Sequence, residues 1–138
     1  MMTGEPKPPD RQANVDLVHA GMDAFNRGDD EAVLALLDPK IECHVHPSLM
    51  NPGVWRGIEG YQRMMAIWGE AWGAMEMTVL AVETPDDRHA IAEVHQRAVG
   101  AGSGVPVEMT LFFFYAIRDG RALRFHVYPD RAAALAAI

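Results

Sequence analysis

The chain has 138 residues, 49% of them hydrophobic and 22% charged, which is the composition of one globular domain rather than of a disordered segment. Asp and Glu number 19 against 12 for Lys and Arg, a formal charge of −7 that disfavours a phosphate backbone, so no nucleic-acid partner is expected. No apolar run approaches the ~18 residues of a membrane span, and the first residues lack an apolar signal core. Cys43, the single cysteine, leaves no internal disulfide and fits a reducing compartment, so a cytoplasmic location is expected.

Residues 1–11 are polar, carry Pro6, Pro8 and Pro9, and are predicted to form a disordered tail before a single domain over 12–138. Val15, Val18, Met22 and Phe25 then fall on one helical face. Gly28 suits the left-handed position that ends such a helix, and Asp29 or Asp30 can cap the next one. That short helix turns Val33, Leu36 and Leu37 inward and closes at Asp38-Pro39. Residues 40–46 alternate with period two and predict a short strand. Residues 47–56, with Pro47, Asn51, Pro52 and Gly53, predict a loop. From Gly57 the spacing is helical again, with Ile58, Tyr61, Met65, Trp68 and Trp72 along one stripe.

Long strands follow over 75–83, 89–99, 107–117 and 121–128, the last two joined by an Asp119-Gly120 hairpin turn, and one or two helical turns over 132–138 end the chain. Ala90, Ala92, Val94, Gln96 and Ala98 share the small, mostly apolar face of the second long strand, and His89, Ile91, Glu93, His95 and Arg97 share the other. In the fourth strand Leu123, Phe125 and Val127 are expected to face in, with Arg124, His126 and Tyr128 facing out. The third strand is apolar on both sides. A strand of that kind needs cover on both faces, which predicts a homodimer through the outer face of the sheet. The order of elements predicts an α+β fold.

Several stretches taken together resemble the SnoaL-like, ketosteroid-isomerase-like branch of the NTF2-like superfamily. They are Ala24-Phe25-Asn26-Arg27-Gly28-Asp29, Leu36-Leu37-Asp38-Pro39, Trp55-Arg56-Gly57-Ile58-Glu59-Gly60, Arg118-Asp119-Gly120-Arg121 and Phe125-His126-Val127-Tyr128-Pro129-Asp130. Their order and spacing cover about residues 12–136. The resemblance implies a cone in which a curved antiparallel sheet wraps around three helices and leaves a deep apolar pocket. It does not fix a reaction, because relatives include isomerases, cyclases, epoxide hydrolases, dehydratases and proteins that only bind.

Members of this branch often carry an Asp-Pro step at the end of the first strand, where the Asp of the steroid isomerases is the general base. Here the step is His46-Pro47, which makes His46 the candidate catalytic base, since imidazole titrates near neutral pH. The oxyanion groups of the isomerases have no counterpart, because the first helix lacks a tyrosine and Met109 and Phe112 stand where an acid would. Val94, Gln96 and Val127 replace the Asp-Arg-Asp set of the epoxide hydrolases. Glu42, His44 and His46 share a strand face, but alternate side chains stand too far apart to converge, so neither metal nor cofactor is expected. Cys43 reads as a buried small hydrophobe.

Met65, Trp68, Trp72, Met77, Gln96, Met109, Phe125 and Val127, with Trp55 at the mouth, are the expected lining of a pocket for an apolar small molecule. The function expected is therefore an acid/base isomerase, cyclase or dehydratase with His46 as base. The alternatives are a small-molecule-binding module without chemistry, or a protein-protein interaction domain.

Overall fold

A computed structural model describes residues 10–49 and 52–138. Of the tail expected at residues 1–11, residues 1–9 lie outside these. Asp10 caps the first helix and Arg11 is its first residue. The elements in chain order are α1 (Arg11–Asn26), α2 (Asp30–Ala35), β1 (Leu37–Val45), β2 (Gly53–Arg56), α3 (Gly57–Ala71), β3 (Trp72–Glu83), β4 (His89–Gly100), β5 (Pro106–Arg118), β6 (Arg121–Tyr128) and α4 (Arg131–Leu135). Among the described residues no helix is long and apolar enough to cross a membrane.

Local chemistry sets the boundaries. The Asp10 carboxylate accepts from the Gln12 backbone N–H at 2.9 Å and so caps α1. At the other end Gly28 adopts φ 74°, and the Gly28 and Asp29 N–H groups turn back onto the carbonyls of Phe25 and Ala24 at 3.1 and 2.9 Å. This closing motif needs a residue at ease in the left-handed region. Asp29 then caps α2 through the Ala32 N–H at 3.1 Å. Asp119 and Gly120 both take positive φ, as the tight turn between β5 and β6 requires.

The strands form one six-stranded sheet in the order β2-β1-β6-β5-β4-β3. This corrects the expected antiparallel cone around three helices. The β1–β6 pair is parallel, so the sheet is mixed, and it is neither closed nor strongly curled. The physical reason lies at its edges. One is β2, with four residues, and the other is β3, with twelve, and so short a strand offers no ladder on which the long one could close. Four register shifts bend individual strands and leave both edges apart.

Two further differences concern the β1–β2 region. Gly53–Arg56 pairs with β1 as a strand, with Trp55 opposite Cys43, where a loop was expected. Strand β1 also starts earlier, at Leu37. Pro39 is accommodated because β2 reaches only as far as Glu42 and the ladder to β6 slips between Leu37 and Glu42. In β6 the register shift near its start turns Ala122 into the core, at 2% exposure, in the role expected of Leu123.

Helices α1, α2 and α3 lie on one face of the sheet. Val18, Met22, Met64 and Trp68 pack there against Ile41, Cys43 and Val45 of β1, Ala92 and Val94 of β4, and Phe113 of β5. Gly60 is buried because α3 starts hard against Trp55, and a Cβ on it would come within 3.0 Å of the Trp55 backbone. The fourth helix covers the opposite face, where Ala134 packs on Ile91 and Phe114. Part of the cover expected from a second subunit thus comes from the same chain. Helix α4 is anchored by its Asp130 cap and by Arg131, which grips the Glu83 carboxylate with bonds of 2.8 and 2.7 Å.

Helix α1 is pinned at both ends by asparagines. The Asn14 side chain donates to the Asp87 carbonyl at 2.8 Å. The Asn26 side chain donates to the Met77 carbonyl at 2.7 Å and accepts from the Met77 N–H at 3.0 Å. Met77 lies on an edge strand, and the Asn26 amide supplies the donor and acceptor that a neighbouring strand would. Replacing Asn26 with Ala is expected to cost about 2 kcal/mol in chemical denaturation, the loss of two hydrogen bonds with their backbone partners left unpaired. Asn26→Asp should be no better, since a carboxylate keeps the acceptor but faces the Met77 carbonyl without a donor. Full stability of the Asp variant would show that the donor half of the clamp is dispensable.

Candidate functional site

Between α1–α3 and the sheet lies a cavity of about 80 Å³. Leu17, Val18, Gly21, Met22 and Phe25 of α1 form one wall, and Val33 of α2 with Leu36 just after it close it above. Tyr61, Met64, Met65 and Trp68 of α3 face them, and Met77, Phe113, Tyr115, Ala122 and Phe125 form the sheet floor. Among the described residues, no charged or histidine side chain lines it. A broader recess of about 470 Å³ lies beside it, between α2, α3 and the start of β3, and holds Asp30, Gln62, Trp72 and Met75. Phe25, Val33, Tyr61 and Met65 line both spaces and are the partition between them.

The structure distributes the residues expected to line a pocket over several places. Met65, Trp68, Met77 and Phe125 line the inner cavity, and Met65 also lines the recess, where Trp72 is found. Gln96 lies on the inner face of β4 opposite Met77, 2% exposed, and its Oε1 has no hydrogen-bond partner among the described residues. Met109 and Val127 pack in the core without lining the cavity, and Trp55 packs on the start of α3. The walls supplied by α1 and α2, with Tyr61 and Tyr115, are what the sequence reading missed. The helical spacing of Val18, Met22 and Phe25 placed them on an inner face, and only the tertiary fold shows that this face borders an unfilled space.

His46 stands apart from this cavity. Ile41, Cys43 and Val45 of β1 point into the core, so Glu42 and His44, and His46 just beyond the strand, point to the other face. His46 Nδ1 is held by Ser48, whose backbone N–H donates to it at 3.1 Å and whose hydroxyl lies at 2.8 Å. The ring borders a separate cleft of about 450 Å³ with His44, Pro52, Val54 and Tyr128. Cys43 is fully buried, and burial, with the nearby Glu42 charge, pushes its thiol up to about 12, so no thiolate nucleophile forms there.

The outer face carries a run of rings across four strands. His44 and His126 lie 4.1 Å apart between centroids, His126 and Phe114 5.0 Å, and Phe114 and His89 5.5 Å. Each end is tied to a carboxylate, His44 to Glu42 at 2.6 Å and His89 to Asp86 at 2.8 Å. His126 is buried, shares a 2.8 Å hydrogen bond with the Tyr128 hydroxyl, and has no partner for Nε2 among the described residues. Burial first, then the charges of His44 and Arg124, pulls its pKa from 6.5 down to about 4.

The SnoaL-like domain profile matches residues 18–125. No curated protein matches the chain. Among solved structures it is similar to TerC co-crystallised with polyporic acid, at 18% identity and TM-score 0.78 over 88% of this chain and 94% of that one. An NTF2-like protein of unknown function from Burkholderia pseudomallei K96243 is similar at 17% identity and TM-score 0.78, over 90% and 95% of the two chains. Bal32a, from a soil-derived mobile gene cassette, is similar at 21% identity and TM-score 0.76, over 90% and 94%.

Because His126 is held neutral in the fold, the unfolded chain takes up a proton on it first as pH falls. Stability contributed by this residue is therefore complete above 6.5 and is lost as pH drops toward 4. The midpoint of thermal unfolding should fall across that interval, and His126→Phe, which keeps a ring against Phe114, should flatten the fall. An unchanged pH profile in His126→Phe would show that this imidazole is not the titrating group.

Proposed function

The chain belongs to the SnoaL-like family of the NTF2-like superfamily, and from that scaffold we propose that it binds a small hydrophobic or aromatic molecule in the inner cavity. The observation that carries this reading is the wall itself, mostly apolar side chains from three helices and four strands around unfilled space, with four of them shared with a wider recess. TerC, a relative in fold, was co-crystallised with polyporic acid, which is in keeping with a small-molecule role.

Size shapes the mode of binding. At about 80 Å³ the cavity is smaller than the ~150 Å³ cavities that admit benzene. A ring enters by spreading the walls. Met22, Met64, Met65 and Met77 are suited to that, because an unbranched thioether changes rotamer at little cost. Helix α2 has no fully buried residue, so the roof is the wall least held by packing. Acid/base chemistry with His46 as the base draws no support from its position on the outer cleft, and the reading favoured is ligand binding without that step.

Gly21 gives a direct test. It lies inside α1, lines the cavity, and a Cβ there would make only ordinary contact with Leu36, at 3.7 Å. Gly21→Ala is expected to stabilise the fold by about 0.5–1 kcal/mol through helix propensity. The same change narrows the cavity, so calorimetric titration with indane should show weaker binding. His46→Ala should bind indane as the unaltered chain does. Loss of binding in His46→Ala, with none in Gly21→Ala, would move the site to the outer cleft.

A further inference from the structure

Two aromatic rings support α4 on the outer face, and both lean on one imidazole. Ala134, the buried residue of α4, packs on Ile91 and Phe114, with Tyr128 beside them. The His126 ring lies 5.0 Å from Phe114 between centroids, and its Nδ1 shares the 2.8 Å hydrogen bond with the Tyr128 hydroxyl. His126 is 7% exposed, and its Nε2 has no partner among the described residues. A neutral imidazole carries one N–H and an imidazolium two. Uptake of a proton from water would therefore leave a charged Nε2–H buried without an acceptor, which is costly unless the packing around the ring opens.

The neighbouring charges mostly oppose an imidazolium there. His44 on β1, with its ring centroid 4.1 Å away, and Arg124 on β6 disfavour it, while Glu42, held by His44 at 2.6 Å, pulls the other way. From β5 comes the uncharged Phe114, with His89 of β4 and its partner Asp86 beyond that ring. His46 lies against Tyr128, at 6.0 Å between centroids. On the α4 side Arg131 is bound to Glu83, whose carboxyl that hydrogen bond holds below its ordinary range, so this tie persists in mild acid. Strand β6 is paired on both sides, with β1 and β5, whereas α4 has five residues and one of them buried. The helix is thus the part that gives way at least cost. We propose that α4 is an acid-released cover: a proton taken up by His126 undocks it from the outer face and bares the apolar strip of Ile91, Phe112, Phe114 and Ala116 while the sheet stays folded.

Amide hydrogen exchange of the full chain, corrected for the intrinsic rate at each pH, tests this. The amides of Ala134 and Ala136, which bond to the Asp130 and Ala132 carbonyls, are expected to exchange faster than those of β5, through an opening of α4 alone. Opening returns His126 from about 4 to its ordinary 6.5, so the opening equilibrium should rise about thirtyfold from about pH 7.5 to about pH 5. His126→Phe should abolish the rise. Glu83→Gln, which loosens the grip of Arg131, should raise opening at both pH values and keep the rise. Opening of α4 that is the same at both pH values overturns the release, as does exchange of α4 and β5 amides at one common protection, which would make them a single unfolding unit. A rise that persists in His126→Phe and vanishes in Glu83→Gln also overturns it, and assigns the trigger to the ion pair. Should His126→Phe fail to fold, the unaltered chain and Glu83→Gln still decide.

Discussion

Asn26 joins the last turn of α1 to the edge of the sheet through two hydrogen bonds to one residue, Met77. The position of the cavity follows from this clamp. Met77 supplies part of the cavity floor, and Phe25, next to Asn26, supplies part of its partition. Immediately beyond, Gly28 turns the chain so that Asp29 can cap α2 and set Val33 and Leu36 over the same space. One short stretch therefore closes a helix, satisfies an edge strand and positions the roof. At the other end Asn14 fixes α1 to Asp87, so the helix spans the cavity as a strut held at both ends.

The two faces of the sheet divide the chemistry. The inner face is mostly apolar, the polar side chains on the cavity wall among the described residues being two phenols and an indole, and burial raises the pKa of both phenols. The outer face collects His44, His46, His89 and His126 with Glu42 and Asp86, and part of it is shielded by α4. A catalytic reading attached to the histidines looks to the outer face, whereas the enclosed space lies on the inner one. The period of β1 decides this. His46 is odd to Val45 and Cys43, so no rotation of the strand brings it inward without expelling the core.

Much of the architecture was legible in the sequence because local chemistry dictates it. Gly28, the Asp29 cap, the Asp119-Gly120 turn and the alternation of β4 each have a local physical cause, and the spacing of Ile58, Tyr61, Met65 and Trp68 marks α3 in the same way. What escaped was non-local. The sequence around Gly53 reads as a loop, and only pairing with β1 makes it a strand. The parallel β1–β6 pair joins segments some eighty positions apart, and no local period reports it. The open sheet in place of a cone depends on how far its edge strands reach. The site was partly legible for a related reason. Inward-facing residues can be found by periodicity, but whether they fill space or border it depends on how three helices meet. That is why Val127 and Met109 proved to be packing residues and Tyr61 a wall.

Methionine methyl resonances offer the most direct view of where a ligand lies, because the chain carries methionines inside and outside the cavity. With indane added, the methyl signals of Met22, Met64, Met65 and Met77, all on the cavity wall, are expected to shift together, with Met109, which does not line it, far less affected. Shifts absent from those four, with changes confined to the resonances of His44, His46 and Tyr128 around the outer cleft, would contradict the account and place binding on the opposite face of the sheet.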